Sequence, residues 1–329
     1  MGRDARQCGT RHGAAKLPRL HAEPAAAATV TPALRGRARL AWWLLRLAGL
    51  LPLRLLHALG AAVASVSWWR GGRTRRVLRA NLAIAQPQLD AAQRDALARA
   101  CLRQAGRGVA ELGKVWADGA QALLRVRAVE GQALFDAALA SGRGLIVAAP
   151  HLGCWELLNH WIAARTPLAI LYRPPRHAEW EPLLRRARGR YAPEQVRAES
   201  GGVRALYRRL AQGGVVGILP DQQPRAGEGV FAPFFGRPAA TMVLLPRLAQ
   251  RTGATVLIGY MERLPRGGGF RLHWRQAPQA VADADPERAC AALNAAVEAC
   301  VRDAFTQYQW TYKRWGVRPA GVDDPYAAR

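Results

Sequence analysis

Apolar and polar residues alternate along most of this chain in blocks that predict strands and helices in turn. Short apolar runs predict buried strands, and longer segments with apolar residues every three or four positions predict amphipathic helices. The predicted strands cover residues 126–129, 144–149, 168–172, 215–219, 255–260 and 270–274. The predicted helices cover residues 90–116, 132–140, 156 onward, 180–191, 203–212, 241–251 and 285–305. This alternation predicts an α/β fold with a mixed, mostly parallel central sheet flanked by helices.

The segment from residue 39 to residue 70 is apolar and rich in tryptophan, with tryptophans near both ends. It has the length to cross a bilayer, but Arg46, Pro52, Arg54 and His57 interrupt it. Two membrane interpretations are open, an amphipathic helix in the membrane interface and a span whose arginines pack on protein. The alternative to both is a buried helix of a soluble core. A cluster of arginines follows directly, as is typical of the cytoplasmic, anionic side of a membrane.

These patterns divide the chain into four regions. Residues 1–38 are rich in Ala, Arg, Gly and Pro without apolar periodicity, and predict a disordered basic extension. Residues 39–70 predict a membrane-anchoring helix, and residues 71–322 predict one α/β domain. Residues 323–329 form a short tail.

The composition of the chain indicates which kinds of partner and compartment suit it. The 48 Lys and Arg residues against 23 Asp and Glu residues give a net charge of +25, which indicates an anionic partner such as nucleic acid, a membrane face or an acidic protein. A G+C-rich genome produces the same excess of arginine, so the surface charge alone identifies none of them. The 5 cysteines include no C-x-x-C pair. This argues against a zinc site or a disulfide framework and is typical of a reducing compartment.

His151 lies at a turn between a predicted strand and a predicted helix, with Glu156 five residues later. On one helix the two side chains would lie about 140° apart, so they would not share a face. They can touch if His151 precedes the helix and Gly153 lets the backbone bend back. This arrangement predicts a general base with Glu156 as its orienting carboxylate. A core histidine satisfied by a nearby acid is the alternative.

Polar residues also follow two other predicted strands, Arg173 after one and Asp221 after the other. Ligands bind outside the carboxyl ends of strands in open α/β sheets, so these residues and His151 are expected to converge. The loop after Asp221 carries three phenylalanines that predict an apolar groove: Phe231, Phe234 and Phe235. Cys154 is either a nucleophile or, as we favour, a small packing residue. No nucleophile elbow, phosphate-binding loop or metal-ligand spacing is present, so we expect no metal.

An ordered series of motifs covers the chain from about Trp42 to Gly321. It comprises H-L-G-C-W-E at 151–156, Tyr-Arg-Pro at 172–174, Arg-Gly-Arg at 188–190, L-P-D-Q-Q-P at 219–224, F-F-G-R-P-A-A-T at 234–241 and Q-W-T-Y-K-R-W at 309–315. The series resembles the late acyltransferases of lipid A biosynthesis, the lauroyl and myristoyl transferase type. These belong to the wider lysophospholipid acyltransferase group, which has an H-x4-D/E motif. That motif alone is a weak signal, whereas the ordered series is specific.

The resemblance implies an O-acyltransferase that moves acyl chains from acyl carrier protein thioesters to a hydroxyl of a phosphorylated lipid A precursor. It implies that residues 71–322 form the catalytic domain, on the cytoplasmic face of the inner membrane, with no bound cofactor or metal. His151 matches the family's catalytic base and Glu156 its partner. Arg188 and Asp221 match two further polar positions linked to activity, and Arg173 matches a motif arginine.

The expected chemistry is direct attack. His151 would take the proton from the acceptor hydroxyl as it attacks the thioester, and Glu156 would hold the imidazole. The oxyanion stabiliser is open between Arg188 and the backbone N–H groups after Pro150. Arg173 and Arg188 are equally suited to a phosphate. Asp221 would orient an arginine, bind sugar hydroxyls or cap a turn.

Two other functions stay open. One is an acyltransferase that acts on another glycolipid or a lysophospholipid. The second, a membrane-associated nucleic-acid-binding protein, is motivated by the charge and the 11 tryptophans. No nucleic-acid-binding module is recognisable, and the basic surface equally suits an acidic carrier protein and an anionic membrane surface. We therefore expect no nucleic-acid partner.

Overall fold

A computed structural model describes residues 34–172, 175, 177–188, 194–197, 200–225 and 227–327. Its strands are β1 (Val126–Glu130), β2 (Leu145–Ala148), β3 (Leu168–Tyr172), β4 (Glu194–Arg197), β5 (Val215–Ile218), β6 (Gly229–Phe234), β7 (Arg237–Met242), β8 (Thr255–Arg263) and β9 (Phe270–Gln276). Its helices are α1 (Gly36–Leu50), α2 (Leu53–Arg70), α3 (Arg73–Ala85), α4 (Ala91–Ala117), α5 (Gly119–Leu123), α6 (Gln132–Ala140), α7 (Trp155–Ala163), α8 (Glu181–Arg188), α9 (Ser200–Ala211), α10 (Leu244–Thr252) and α11 (Pro286–Asp303).

The fold is built around a sheet with the strand order β1-β9-β8-β2-β5-β3-β4. Strands β8 and β9 are antiparallel, and the other neighbours in the sheet are parallel. Strands β6 and β7 pair with each other outside it. The predicted α/β class with a mixed, mostly parallel sheet between helices is therefore confirmed.

Strand β2 shows why the sheet is covered on both faces. All of its residues are buried. Leu145 and Val147 pack into a core with α6 and α7, whereas Ile146 and Ala148 pack into a second core with α9, α10 and α11. Successive side chains of a strand point to opposite faces, so a strand buried on both faces is apolar throughout. Strand β2 is the central strand of the sheet, so its carboxyl end lies at the middle of one sheet edge.

Two of the predicted helices begin at aspartates whose side chains cap the first turn. The side chain of Asp90 accepts a hydrogen bond from the backbone N–H of Gln93 at 2.8 Å, and the side chain of Gln93 accepts one from the backbone N–H of Asp90 at 3.0 Å. This reciprocal pair is a capping box at the start of α4. Asp285 caps α11, with Pro286 at its first position.

The apolar segment predicted as one anchoring helix forms two helices instead. Leu51 and Pro52 are extended, and they separate α1 from α2. Proline lacks the N–H that a continuous helix needs and favours an extended residue before it, which accounts for the break. No helix in the described part of the chain is both long and apolar enough to cross a membrane.

Helices α1 and α2 pack closely on α4 through glycines. A Cβ atom on Gly60 would lie 2.3 Å from the carbonyl oxygen of Gly106, and one on Gly49 would lie 2.6 Å from that of Gly113. Only glycine permits such an approach of two backbones. The outer faces of α1 and α2 carry large apolar side chains that are between 44% and 79% exposed: Leu40, Trp43, Leu44, Leu47, Leu50, Leu55, Leu59, Val63, Val66 and Trp69.

The region predicted as a loop followed by a helix from residue 241 contains the β6–β7 hairpin. Phe234 pairs with Arg237, and the two residues between them, Phe235 and Gly236, have φ values of 49° and 72°. Two consecutive positive φ values are typical of the tight turn that fits the twist of a hairpin. Thr241 and Met242 therefore belong to β7, and α10 begins at Leu244.

Candidate active site

His151 lies in a turn that is fixed on both sides by backbone hydrogen bonds. Gly153 has a φ of 63°, and a Cβ atom there would lie 1.9 Å from the carbonyl oxygen of Met261. The same carbonyl accepts a hydrogen bond from the N–H of Cys154 at 2.8 Å, and the carbonyl of Gln307 accepts one from Gly153 at 3.2 Å. His151 thus precedes α7 and the backbone bends at Gly153, as predicted.

The carboxylate that contacts His151 is Asp221. The Nδ1 atom of His151 lies 2.8 Å from Oδ1 of Asp221, and the backbone N–H of His151 donates to Oδ2 at 2.9 Å. The two residues follow the parallel neighbours β2 and β5, in which Ala148 pairs with Ile218. Because His151 and Asp221 lie equally far beyond that pair, the sheet register brings them together. The predicted convergence at the strand ends is confirmed for these two residues.

Glu156 lies in the first turn of α7 and pairs with Arg188 of α8. The Nε atom of Arg188 donates to Oε2 of Glu156 at 3.0 Å, and Nη2 donates to Oε1 at 2.5 Å. The side chains are 4% and 19% exposed, so the pair is largely removed from water. The prediction that Glu156 orients His151 is therefore wrong, because Glu156 pairs with Arg188 and His151 pairs with Asp221. An arginine from a neighbouring helix satisfies Glu156, and the end of β5 supplies the acid for His151.

Both carboxylates are ionised at neutral pH. Burial opposes ionisation of Asp221, but its electrostatic interaction with His151 and the two hydrogen bonds that His151 donates outweigh it and lower the pKa of Asp221. Burial also opposes ionisation of Glu156, and the guanidinium of Arg188 outweighs it, so the pKa of Glu156 is lowered too. Each acid thus stays charged because it has a cationic or hydrogen-bond-donating partner.

The second ring nitrogen of His151 faces Gln222. The Nε2 atom of Gln222 lies 3.1 Å from Nε2 of His151 and donates to Oε1 of Gln309 at 3.1 Å. An amide nitrogen only donates hydrogen bonds, so Nε2 of His151 is the acceptor and Nδ1 carries the proton toward Asp221. This is the neutral tautomer with its free electron pair on Nε2, which is the form that acts as a base.

The sequence prediction did not include the residues around this pair. Tyr308 is buried beside Asp221, and burial together with the charge of Asp221 raises the pKa of its phenol well above the usual range. The N–H of Gln223 donates to the hydroxyl of Tyr312 at 3.0 Å. These contacts join the 219–224 and 309–315 motifs, which are distant in the chain. Both motifs carry the family resemblance, but no spacing within either indicates that they meet.

The backbone N–H groups after Pro150 are already bonded. His151 donates to Asp221, and Leu152 donates to the carbonyl of Pro150 at 2.7 Å. Gly153 and Cys154 donate to Gln307 and Met261. Of the two alternatives that the sequence left open for the oxyanion stabiliser, these N–H groups are thus occupied within the protein. Arg188, the other alternative, donates to Glu156.

Cys154 is a packing residue. It is 3% exposed, and burial together with the nearby charge of Glu111 raises the pKa of its thiol well above 9.0. A thiol nucleophile reacts as the thiolate, which this environment disfavours. The structure therefore favours the packing interpretation over the nucleophile.

Two of the three predicted groove phenylalanines are core residues. Phe234 lies 5.9 Å from Trp315 and Phe235 lies 5.5 Å from Trp310, measured between ring centroids. They fill an aromatic cluster under the hairpin, so their assignment to an open acyl groove is wrong. Phe231 is 40% exposed, and its assignment stays a prediction.

Arg173 lies outside the described residues. Within the described part of the chain, no group of three or more His, Cys, Asp and Glu residues is placed to hold a metal ion.

Comparison with known proteins finds one matching family model and several similar acyltransferases. The family model described as bacterial lipid A biosynthesis acyltransferase matches residues 36–316. The lipid A biosynthesis lauroyltransferase of Escherichia coli (strain K12) is 26% identical over 279 residues, which cover 84% of this chain and 90% of that protein. The palmitoleoyltransferase of the same strain is 27% identical with the same coverage. The phosphatidylinositol mannoside acyltransferase of Mycobacterium tuberculosis (H37Rv) is 31% identical over 206 residues, 60% of this chain and 64% of that protein.

Proposed function

Because the chain belongs to the bacterial lipid A biosynthesis acyltransferase family, we propose that it moves a fatty acyl chain from acyl carrier protein to a hydroxyl of a lipid A precursor. The observation that carries this proposal is the geometry of His151. Its Nδ1 atom is held by Asp221, and its Nε2 atom contacts the side-chain amide of Gln222, which a substrate hydroxyl can replace. A base held in this way suits removal of a hydroxyl proton.

The reaction needs no acylated enzyme. The Nε2 atom of His151 takes the proton of the acceptor hydroxyl while the oxygen attacks the thioester carbonyl. The tetrahedral intermediate then expels the carrier's thiolate, which receives the proton from the imidazolium. An ester bond forms and the carbon–sulfur bond breaks. Asp221 stabilises the imidazolium and keeps its ring in place.

The amide of Gln222 supplies the oxyanion stabiliser in this proposal. It occupies the place at Nε2 of His151 that the acceptor hydroxyl must take, so it moves aside when the acceptor binds. Its N–H group then lies beside the attacked carbonyl, as stabilisation of the developing charge requires. The pair of Glu156 and Arg188 holds α7 to α8 and so fixes the turn that carries the base.

We place the enzyme at the cytoplasmic face of the inner membrane. The exposed apolar faces of α1 and α2 suit the interface between lipid chains and headgroups, with Trp43 and Trp69 among the exposed residues. A net charge of +25 favours both an anionic lipid surface and an acidic carrier protein. These features support the interfacial interpretation of the anchoring segment over the spanning one.

Acyl transfer in vitro tests the proposal. The full-length protein is incubated with lauroyl acyl carrier protein and a lipid A precursor, and the product mass is measured. We expect one added acyl chain, and a rate lower by about a hundredfold or more in His151→Ala. Cys154→Ala is the control, because it alters the same turn without removing the base. No transfer by the wild type, or full activity in His151→Ala, would refute the assignment.

A second candidate is acyl transfer to another glycolipid, which the 31% identity to a phosphatidylinositol mannoside acyltransferase favours. The same base would serve, because either acceptor offers a sugar hydroxyl. Competition between a lipid A precursor and a phosphatidylinositol mannoside in one reaction separates the two functions. The ratio of the two products gives the ratio of their kcat/KM values directly.

A further inference from the structure

A cavity of about 510 Å³ lies between the start of α2, the middle of α4 and the turn that joins β8 to β9. Four arginines line it. One of them, Arg263, bonds Glu111, and the other three are Arg54, Arg107 and Arg266. None of the three makes an ion pair or a side-chain hydrogen bond with any residue that the structure describes. The lining thus holds three arginines without a carboxylate partner among the described residues, beside one carboxylate, that of Glu262.

The acidic groups around this cavity already have partners. Glu111 accepts hydrogen bonds from Nε2 of His57 at 3.0 Å and from Nε of Arg263 at 2.6 Å. Glu262 lies 2.9 Å from Nε2 of His273. The carboxylates are thus committed to the protein interior and to the sheet, and they leave the three arginines available to a ligand.

Each of the three arginines is in an unfavourable position, two of them for electrostatic reasons that an anion would offset. Arg54 is in the first turn of α2, where the helix dipole opposes a cation. Arg266 has a φ of 54°, a conformation that residues with side chains adopt only at a cost. Burial, with repulsion from Arg263 and Arg103, lowers the pKa of Arg107. An anion in the cavity would reduce the repulsion at Arg107 and offset the helix dipole at Arg54.

We propose that this cavity binds the phosphomonoester of a lipid. A phosphomonoester carries about −1.5 to −2 charges at neutral pH, and arginines bind its oxygens through paired hydrogen bonds. The apolar side chains of Leu55 and Leu59 are 44% and 48% exposed on α2, next to Ala58, which lines the cavity. The lipid chains would follow this face of α2 while the phosphate enters the cavity.

The cavity is coupled to the turn that carries His151. Gln307 lines it, and its side-chain oxygen accepts a hydrogen bond from the N–H of Arg263 at 2.8 Å. The carbonyl of the same residue accepts the N–H of Gly153 at 3.2 Å. A phosphorylated acceptor bound in the cavity would therefore lie against Gln307, the residue that bonds the turn of the proposed active site. This role in acceptor binding rests on the proposed function, whereas the phosphate site itself does not.

Calorimetric titration of the full chain with short-chain lipids tests the site. The probes are dihexanoyl phosphatidic acid and dihexanoyl phosphatidylcholine, both below their critical micelle concentrations, and inorganic phosphate. We expect phosphatidic acid to bind at least about tenfold more tightly than the other two. The variant Arg107→Gln/Arg266→Gly should lose about tenfold in that affinity, since glycine also suits the backbone at position 266. Arg143→Gln/Arg247→Gln removes two charges from exposed positions outside the cavity and should bind as the wild type does.

Three results would overturn the proposal. They are unchanged binding in Arg107→Gln/Arg266→Gly, an equal loss in the control variant, and equal affinity for phosphatidic acid and either other probe. The last would show a site for free anions or for any headgroup. Binding is measured without acyl transfer, so a protein that binds phosphatidic acid but transfers no acyl chain refutes the proposed function alone. In an active enzyme, the cavity variant should raise KM for a phosphorylated acceptor and change kcat little.

Discussion

His151 and Asp221 stand 70 residues apart in the chain and are joined twice, ring to carboxylate at 2.8 Å and peptide N–H to carboxylate at 2.9 Å. The second bond fixes the carboxylate relative to the backbone, and the first fixes the ring relative to the carboxylate. The imidazole is therefore set in both orientation and tautomer before any substrate arrives. Such preorganisation is what a general base requires.

Asp221→Asn should lower kcat for acyl transfer by about a hundredfold or more, because asparagine can stabilise neither the Nδ1–H tautomer nor the imidazolium in the same way. Steady-state kinetics with acyl carrier protein thioester measures the loss. Asp303→Asn removes an exposed carboxylate outside the site and should leave kcat unchanged. Wild-type kcat in Asp221→Asn would show that the pair has no catalytic role.

Gln222→Ala should lower kcat by about a hundredfold, the usual effect of removing one oxyanion donor, with little change in KM for the acyl donor. The reason is that its amide stabilises charge that exists only in the transition state. A kcat that stays the same or rises would mean that Gln222 merely covers Nε2 of His151. The oxyanion would then fall to Arg188, the other candidate near α7.

Glu156→Gln should destabilise the fold at neutral pH by about 3 kcal/mol, because it leaves the largely buried guanidinium of Arg188 without its counter-charge. The pKa of Glu156 in the folded chain lies below 4.5, its value in the absence of such partners. Its contribution is present above that value and is lost as the pH falls through the folded pKa. Denaturant unfolding at a series of pH values should therefore show the difference between wild type and variant shrinking below pH 4.5.

The exposed pair of Arg79 and Asp95 supplies the control for that measurement. Asp95→Asn should cost about 1 kcal/mol or less, as is usual for surface ion pairs. A difference between wild type and Glu156→Gln that persists undiminished to pH 3 would contradict the assigned pairing.

Gly153→Ala should destabilise the protein by at least about 3 kcal/mol and reduce acyl transfer, because the new methyl group would overlap the carbonyl oxygen of Met261 and displace the turn. Gly142 is a matched control, since it has the same φ of 63° and no atom within 4 Å of a Cβ atom. Gly142→Ala should cost only the backbone strain, about 1 kcal/mol. Thermal unfolding of both variants separates overlap from strain, and equal losses would contradict the crowding at Gly153.

Leu47→Glu/Val63→Glu should weaken binding to vesicles of phosphatidylethanolamine and phosphatidylglycerol by about tenfold or more, because it places two charges on the faces of α1 and α2 proposed to enter the membrane. Co-sedimentation with vesicles measures the effect. Leu134→Glu/Val317→Glu changes two exposed apolar residues elsewhere and should bind as the wild type does. Equal binding by Leu47→Glu/Val63→Glu would point to a different membrane surface.

The turn at His151 was predictable because its cause is local. A strand that ends at Pro150, a glycine two residues after the histidine, and a helical pattern beyond it together place His151 at the edge of the sheet. The partner of His151 was not predictable in the same way. Asp221 reaches it only because β2 and β5 are neighbours, and strand order is a property of the whole fold.

For Glu156, nearness in sequence was misleading. Its nearness in sequence suggested contact with His151, whereas Arg188 lies closer in the folded chain. The hairpin was missed because Phe235, at a position with positive φ, is not a residue that normally indicates a tight turn. Local patterns thus predicted most of the helices and strands and the position of His151. The partners of His151 and Glu156 depend on contacts between elements that are distant in the chain.

The close crossings of α2 over α4 at Gly60 and Gly106, and of α1 over α4 at Gly49 and Gly113, fix both helices rigidly to the α/β domain. Glu111 of α4 reinforces this joint, since it bonds both His57 of α2 and Arg263 of β8. If α1 and α2 lie in the lipid surface as proposed, this rigid attachment holds His151 at a fixed height above that surface. An acceptor hydroxyl at another depth stays out of reach, so the enzyme would select among the hydroxyls of one lipid by their distance from the membrane plane.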